Sequence, residues 1–173
     1  WKDKALRRQD SKNTLVNYLL HEENIPRSAV ESLAAKLGYS PSIARAPLLL
    51  VPGPGTEPAL ALRAVKAGPL HGTEDLSWTT PDGSILVFKS LSLGSGGILE
   101  AYSGQLRAYV DAARAVLGRS GGKLKAYGGA IQTDLGRYGL GYRQTLWLRE
   151  HVPEAEAGQG LVSIFDHLYD YLV

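Results

Sequence analysis

The chain of 173 residues contains no cysteine and no methionine. Without cysteine, disulfides, thiolate nucleophiles and Cys-based zinc sites are all excluded. A disulfide-free chain fits a reducing compartment, and the cytoplasm is the expected location. The missing methionines include any initiator, as expected of a fragment or a processed product. Long apolar runs are lacking too: none approaches the roughly 18 residues needed to span a bilayer. Trp1-Lys2-Asp3-Lys4 is charged and is not followed by the apolar middle of a signal peptide, so no membrane partner is expected. Nor does one sign of charge dominate. Nineteen Lys and Arg stand against 17 Asp and Glu, a net +2, too balanced for the electrostatic footprint of a nucleic-acid binder.

What is present is ordinary for a globular protein, with 44% hydrophobic and 21% charged residues. The length suits one domain with a real core. Leu15, Val16, Leu19 and Leu20 form one apolar helical stripe, which Asn24 and Pro26 interrupt. A second helix is expected from about Ser28, where Ser28-x-x-Glu31 has the pattern of a capping box. Its buried face would be Val30, Leu33, Ala34 and Leu37, with Gly38 just past its end. Leu48-Leu49-Leu50-Val51 reads as a buried strand entering the loop Pro52-Gly53-Pro54-Gly55. Thr56 is placed to cap a helix through Leu62 and Val65 that stops at Gly68.

Strands are expected at Leu76 to Thr80 and at Ile85-Leu86-Val87-Phe88, with Pro81-Asp82-Gly83 between them as a hairpin turn. The clearest helix carries Leu106, Tyr109, Val110, Ala113, Val116 and Leu117 and ends at Gly118. A strand from Lys125 to Ile131, a helix from about Asp134 to Glu150 and a strand Leu161 to Phe165 complete the pattern. From Leu48 onward the order is β-α-β-β-α-β-α-β. That order predicts an α+β fold of ferredoxin-like or palm type: a largely antiparallel sheet with helices packed on it, preceded by N-terminal helices. Residues 1–43 are the helical lead-in and 44–173 the α+β domain. Because Ile85/Val87 and Leu86/Phe88 are both apolar pairs, both sheet faces should be covered. The second cover would be the N-terminal helices or a partner subunit, since bare apolar area forfeits about 25 cal/mol per Å².

Few residues suggest chemistry. Gly94-Ser95-Gly96-Gly97 precedes a helix, where backbone N–H groups can hold phosphate. It lacks a Walker lysine and the Gly-x-Gly-x-x-Gly spacing, so a strand-to-helix connection explains it. In Pro52-Gly53-Pro54-Gly55-Thr56 two prolines remove donors that a phosphate would need. His21, His71, His151 and His167 stand in separate segments without metal-ligand spacing, and no nucleophile elbow is present. Asp166 and Asp170 read as a solvated edge. Lys2, Lys4, Arg7 and Arg8, interspersed with Asp3 and Asp10, could touch phosphates but read as a solvated helix face. Nothing forms a helix-turn-helix with a basic recognition helix. No catalytic or metal-binding residue and no cofactor is therefore expected, and no residue is assigned to ligand binding.

Four stretches carry a resemblance. Leu37-Gly38 with Arg45-Ala46 is similar to the lead into the first strand of the carbohydrate diacid regulator family of bacterial transcription regulators. Glu74-Asp75-Leu76-Ser77-Trp78 through Ile85-Leu86-Val87-Phe88-Lys89-Ser90-Leu91 resembles that family's central hairpin. Asp134-Leu135 with Tyr138, Tyr142 and Leu146 resembles its helix, and Phe165-Asp166-His167-Leu168-Tyr169 its closing strand and turn. Gly141 and Thr145 depart from the usual Ser and Ala, and Tyr127 to Ile131 replaces a more aliphatic strand. The resemblance implies a middle, GGDEF-like domain between a sugar-diacid sensing domain and a helix-turn-helix. It implies a homodimer that meets DNA only through a domain absent from this chain, with a small-molecule effector. A cyclase of that type needs carboxylates at the end of its first strand and in the hairpin turn to hold divalent metal against triphosphate. Here the strand ends Val51-Pro52-Gly53, and the hairpin reads Pro81-Asp82-Gly83-Ser84-Ile85 in place of Gly-Gly-Asp/Glu-Glu-Phe. The chain is thus expected to be a regulatory and dimerisation module and not an enzyme. The alternative is a catalytically dead cyclase-like domain that still binds a nucleotide or diacid.

Overall fold

A computed structural model describes residues 1–21, 26–153 and 160–173; the interruption expected at Asn24 lies outside them. In chain order the elements are α1 Lys2–His21, α2 Arg27–Lys36, β1 Arg45–Pro52, α3 Pro58–Ala67, β2 Leu76–Thr79, β3 Ile85–Ser90, α4 Ile98–Gly118, β4 Leu124–Gly128, α5 Tyr138–His151, β5 Leu161–Ser163 and α6 Leu168–Leu172. Short 3₁₀ turns, Leu135–Arg137 and Ile164–Asp166, lead out of the segments after β4 and β5.

Five strands form one sheet in the order β2-β3-β1-β4-β5. All neighbours are antiparallel except the β4/β5 pair. In the central ladder Leu48 faces Val87 and Leu50 faces Ile85. Alternation along the pleat sends these four side chains to one face. There they meet Ala61, Ala64 and Val65 of α3 and Tyr109, Val110, Ala113 and Leu117 of α4. The opposite face offers Leu76, Leu86 and Phe88 to Leu15, Val16, Leu19 and Leu20 of α1, Val30 and Ala34 of α2, and Tyr138 of α5. Leu49, Tyr127 and Val162 continue that face under Leu148 and Val152. Both faces are covered within the chain; the second cover is shared by α5 and the N-terminal helices, which join the same core. Residues 1–10, most of them the first half of α1, lie beyond it, exposed. Among the described residues no helix is long and apolar enough to cross a membrane.

Local chemistry explains where the elements stop. Gly38, with φ +87°, ends α2 in a left-handed turn. Its N–H bonds to the Ala35 carbonyl and that of Tyr39 to Ala34, the paired bonds of a Schellman ending. The hairpin turn closes through Gly83 N–H to the Thr80 carbonyl at 3.0 Å, and Gly83 then takes φ +85° to rejoin β3.

Four expected details are corrected. Ser28 does not cap α2, which starts at Arg27 after Pro26; Glu31 instead accepts from Arg27 Nε at 2.6 Å. Thr56 does not cap α3, which begins with Pro58 after Glu57; its Oγ1 accepts from Lys123 N. The fourth strand ends at Gly128, short of Ile131. Gly129 bonds to the Pro47 carbonyl and Ala130 N–H turns to the Gln144 side chain, so the chain leaves the ladder toward α5. The last strand stops at Ser163, whose Oγ accepts from Phe165 N and starts the 3₁₀ turn.

Candidate functional site

The sheet has two chemically different ends. The first joins the end of β1, the α3 start and the β2–β3 turn. Its only carboxylate in the turn is Asp82, and the local sequence consumes it. Thr80 Oγ1 donates to Asp82 Oδ1, Ser84 N donates to the same oxygen at 3.1 Å, and Arg149 Nη1 from the end of α5 donates to Oδ2 at 2.5 Å. Partial burial alone would raise this carboxyl; the hydrogen bonds from Thr80, Ser84 and Arg149 more than offset it and hold Asp82 well below the usual range. β1 ends here at Pro52, and Gly53 beyond it has its N–H on the Lys123 carbonyl at 2.8 Å. Asp82 is therefore a turn anchor tied to a guanidinium.

The opposite end holds the buried polar residues that the sequence pattern did not single out as a site. Arg45 is only 1% exposed. Its Nε donates to the Glu74 carbonyl at 2.9 Å, Nη2 to Glu74 Oε2 at 2.6 Å, and Nη1 to the Ser40 carbonyl at 2.9 Å and to Tyr138 Oη at 3.1 Å. Beside it the fully buried Asp75 carboxylate accepts from Gly72 N, Lys89 Nζ and both Ser90 N and Oγ, all at 2.7–2.8 Å. Burial would raise its pKa, yet these donors win and hold it below the ordinary carboxylate range. Tyr109 shares a 2.7 Å hydrogen bond with His71 Nδ1, and Lys89 Nζ lies 5.2 Å from the Tyr109 ring centre. Burial lowers the His71 pKa, although Asp75 at 4.0 Å favours the charged form. No buried side-chain polar atom among the described residues lacks a hydrogen-bond partner. Such a network fixes geometry and has no free group aimed at a ligand.

The remaining candidates disperse. Gly94 to Gly97 is exposed, and Gly97 precedes α4 without a side-chain cap. Pro52 to Thr56 is spent on the contacts to Lys123. His21 lies exposed at the end of α1. His151 stacks on Trp147 with ring centres 4.6 Å apart, and His167 lies 3.8 Å from Asp170. Asp166 stands in the 3₁₀ turn and Asp170 in α6. Among the described residues no three His, Asp or Glu side chains gather where a metal could bind.

The basic lead-in is different. Lys4, Arg7 and Arg8 line one wall of a cleft of about 450 Å³, opposite Lys36 and the end of α2. Arg8 Nη2 donates to the Leu37 carbonyl at 3.4 Å. No carboxylate lines this cleft. These cations are exposed, as expected of a solvated helix face, and the tertiary structure lays the end of α2 alongside them.

Comparison with protein-family models, curated proteins and solved structures yields no match to this chain.

Proposed function

We propose that this chain is a non-catalytic regulatory and dimerisation domain of a bacterial transcription regulator of the carbohydrate diacid type. It would couple an effector-sensing domain to a helix-turn-helix outside this sequence. Its fold is read as a degenerate palm: β2-β3-β1-β4 with two helices on one face is the strand order expected of a β-α-β-β-α-β unit, extended by α5 and β5. The observation that carries the non-catalytic reading is the state of Asp82. The sole acid at the hairpin is bound by Arg149 and two turn hydroxyl or amide donors, and β1 brings no second one. Two-metal phosphoryl chemistry needs carboxylates free to coordinate on both elements. The resemblance adds support, since Gly38, Arg45, Glu74 and Asp75 fall at a helix end and in the buried network. Because both sheet faces are covered internally, the dimer contact of this reading belongs to helices and loops outside the sheet.

A second reading, a dead cyclase-like domain that binds a small-molecule effector, is favoured by the basic cleft between α1 and α2.

DNA binding tests the division of labour. The isolated chain should show no sequence-selective binding to duplex DNA at physiological salt, because only salt-sensitive phosphate contacts are available to it. Selective binding that persists in a titration at that salt would overturn the assignment of DNA recognition to another domain.

A further inference from the structure

One stripe of α1 changes character along its length. Leu15 and Leu19 are buried against the core. Ser11, Arg8 and Lys4 stand one, two and three turns earlier on the same side, since residues three or four apart share a helix face. The face that α1 turns toward α2 is thus apolar where the sheet lies below and cationic where it does not. A helix packing on a neighbour for stability alone would keep that face apolar or pair its charges. Among the described residues Lys4, Arg7 and Lys36 make no ion pair, although Asp3 and Asp10 lie on the same helix. The end of α2 accounts for one cation: Arg8 satisfies the Leu37 carbonyl, as a basic group at a helix C-terminus does. Lys36 itself sits in the last turn of α2, which leaves Lys4 and Arg7 without such an account.

We infer that the α1–α2 cleft is a binding site for a small polyphosphate-bearing ligand, held by Lys4, Arg7 and Lys36 over an apolar floor of Leu33 and Leu37. This rests on the effector-binding reading and moves it away from the hairpin end where a cyclase would hold its nucleotide. Four cations around about 450 Å³, with no acid in the lining, match a compact ligand carrying two or more negative charges. Guanidinium groups suit phosphate oxygens by their forked geometry, and Ser11 supplies a hydroxyl donor.

The probe is pyrophosphate, titrated into the full 173-residue chain and followed by amide chemical shifts, with malonate at equal ionic strength as the dicarboxylate arm. Saturable shifts in α1 and α2 are expected, with pyrophosphate at least about tenfold tighter than malonate. The double variant Arg7→Ala/Lys36→Ala should lose about tenfold or more of that affinity, while Arg63→Ala, an exposed cation on α3, should not. All the replaced side chains are exposed, so unchanged thermal melts are expected and check the fold. Equal binding of malonate, or an affinity indifferent to the double variant, overturns the inference. Shifts confined to Gly83 and Lys123 would overturn this site while keeping an effector-binding domain. No shifts anywhere would overturn the site and remove that second reading's support.

Discussion

Asp75 is the acid on which the interior leans most. Four donors converge on it, one of them the Lys89 ammonium, so replacing it leaves a buried cation and a buried amide without partners. Asp75→Ala should cost about 3 kcal/mol or more in a urea unfolding series. The pH dependence has a definite sign. Asp75 and Asp82 both have folded-state pKa values below those of an unfolded aspartate, near 3.9. Their stabilisation is therefore complete above that unfolded value and is lost as pH falls through the folded values. Stability should decline below about pH 4, and Asp75→Asn should flatten the decline while lowering stability at pH 7. A variant that is as acid-sensitive as the parent would show that this carboxylate is not the group responsible. None of this was readable from spacing: Arg45 and Glu74 are 29 residues apart, and Asp75 and Lys89 are 14 apart. Glu74-Asp75 before a strand looks like loop polarity until the chain folds Arg45 and Lys89 onto it.

At the scale of elements, what was legible was what local chemistry decides. Gly38 past an apolar stripe and Asp82-Gly83 between apolar runs foretold a helix end and a hairpin, because a left-handed residue is needed at each. Ser28 and Thr56 misled because capping competes with other partners; Glu31 found Arg27, and Thr56 found the start of β4. The early end of β4 was hidden for a tertiary reason. Gly129 and Gly141 let the chain after β4 and the start of α5 close on Pro47, where added Cβ atoms would lie 2.6–2.7 Å from neighbouring atoms. The same close approach joins α5 to α1. A Cβ at Gly139 would sit 2.9 Å from the Leu19 carbonyl oxygen, whereas one at Gly104 in α4 meets nothing within 4 Å. Gly139→Ala should therefore destabilise by about 1–3 kcal/mol. Gly104→Ala should stabilise by roughly 0.5–1 kcal/mol, the gain in helix propensity. Paired thermal melts check this, and equal effects at the two positions would refute the close α1–α5 contact.

For the whole molecule, hydrophobic alternation in β3 required covers on two faces, and α1 and α2 together with α5 provide the second. The α1 cations are exposed, as their spacing predicts; what was not legible is that Lys36 and the end of α2 lie beside them. Self-association is thereby separated from sheet burial: sedimentation equilibrium should show a dimer of the 18.6 kDa chain, and a single species of that mass at high concentration would remove dimerisation from the proposal. The central claim, a palm-like domain without turnover, is tested most directly by chemistry. Incubated with GTP or ATP and Mg²⁺ or Mn²⁺, the chain should release neither cyclic nucleotide nor pyrophosphate, because Asp82 is held by Arg149 and β1 supplies no second carboxylate. Metal-dependent product that disappears in Asp82→Ala would contradict it.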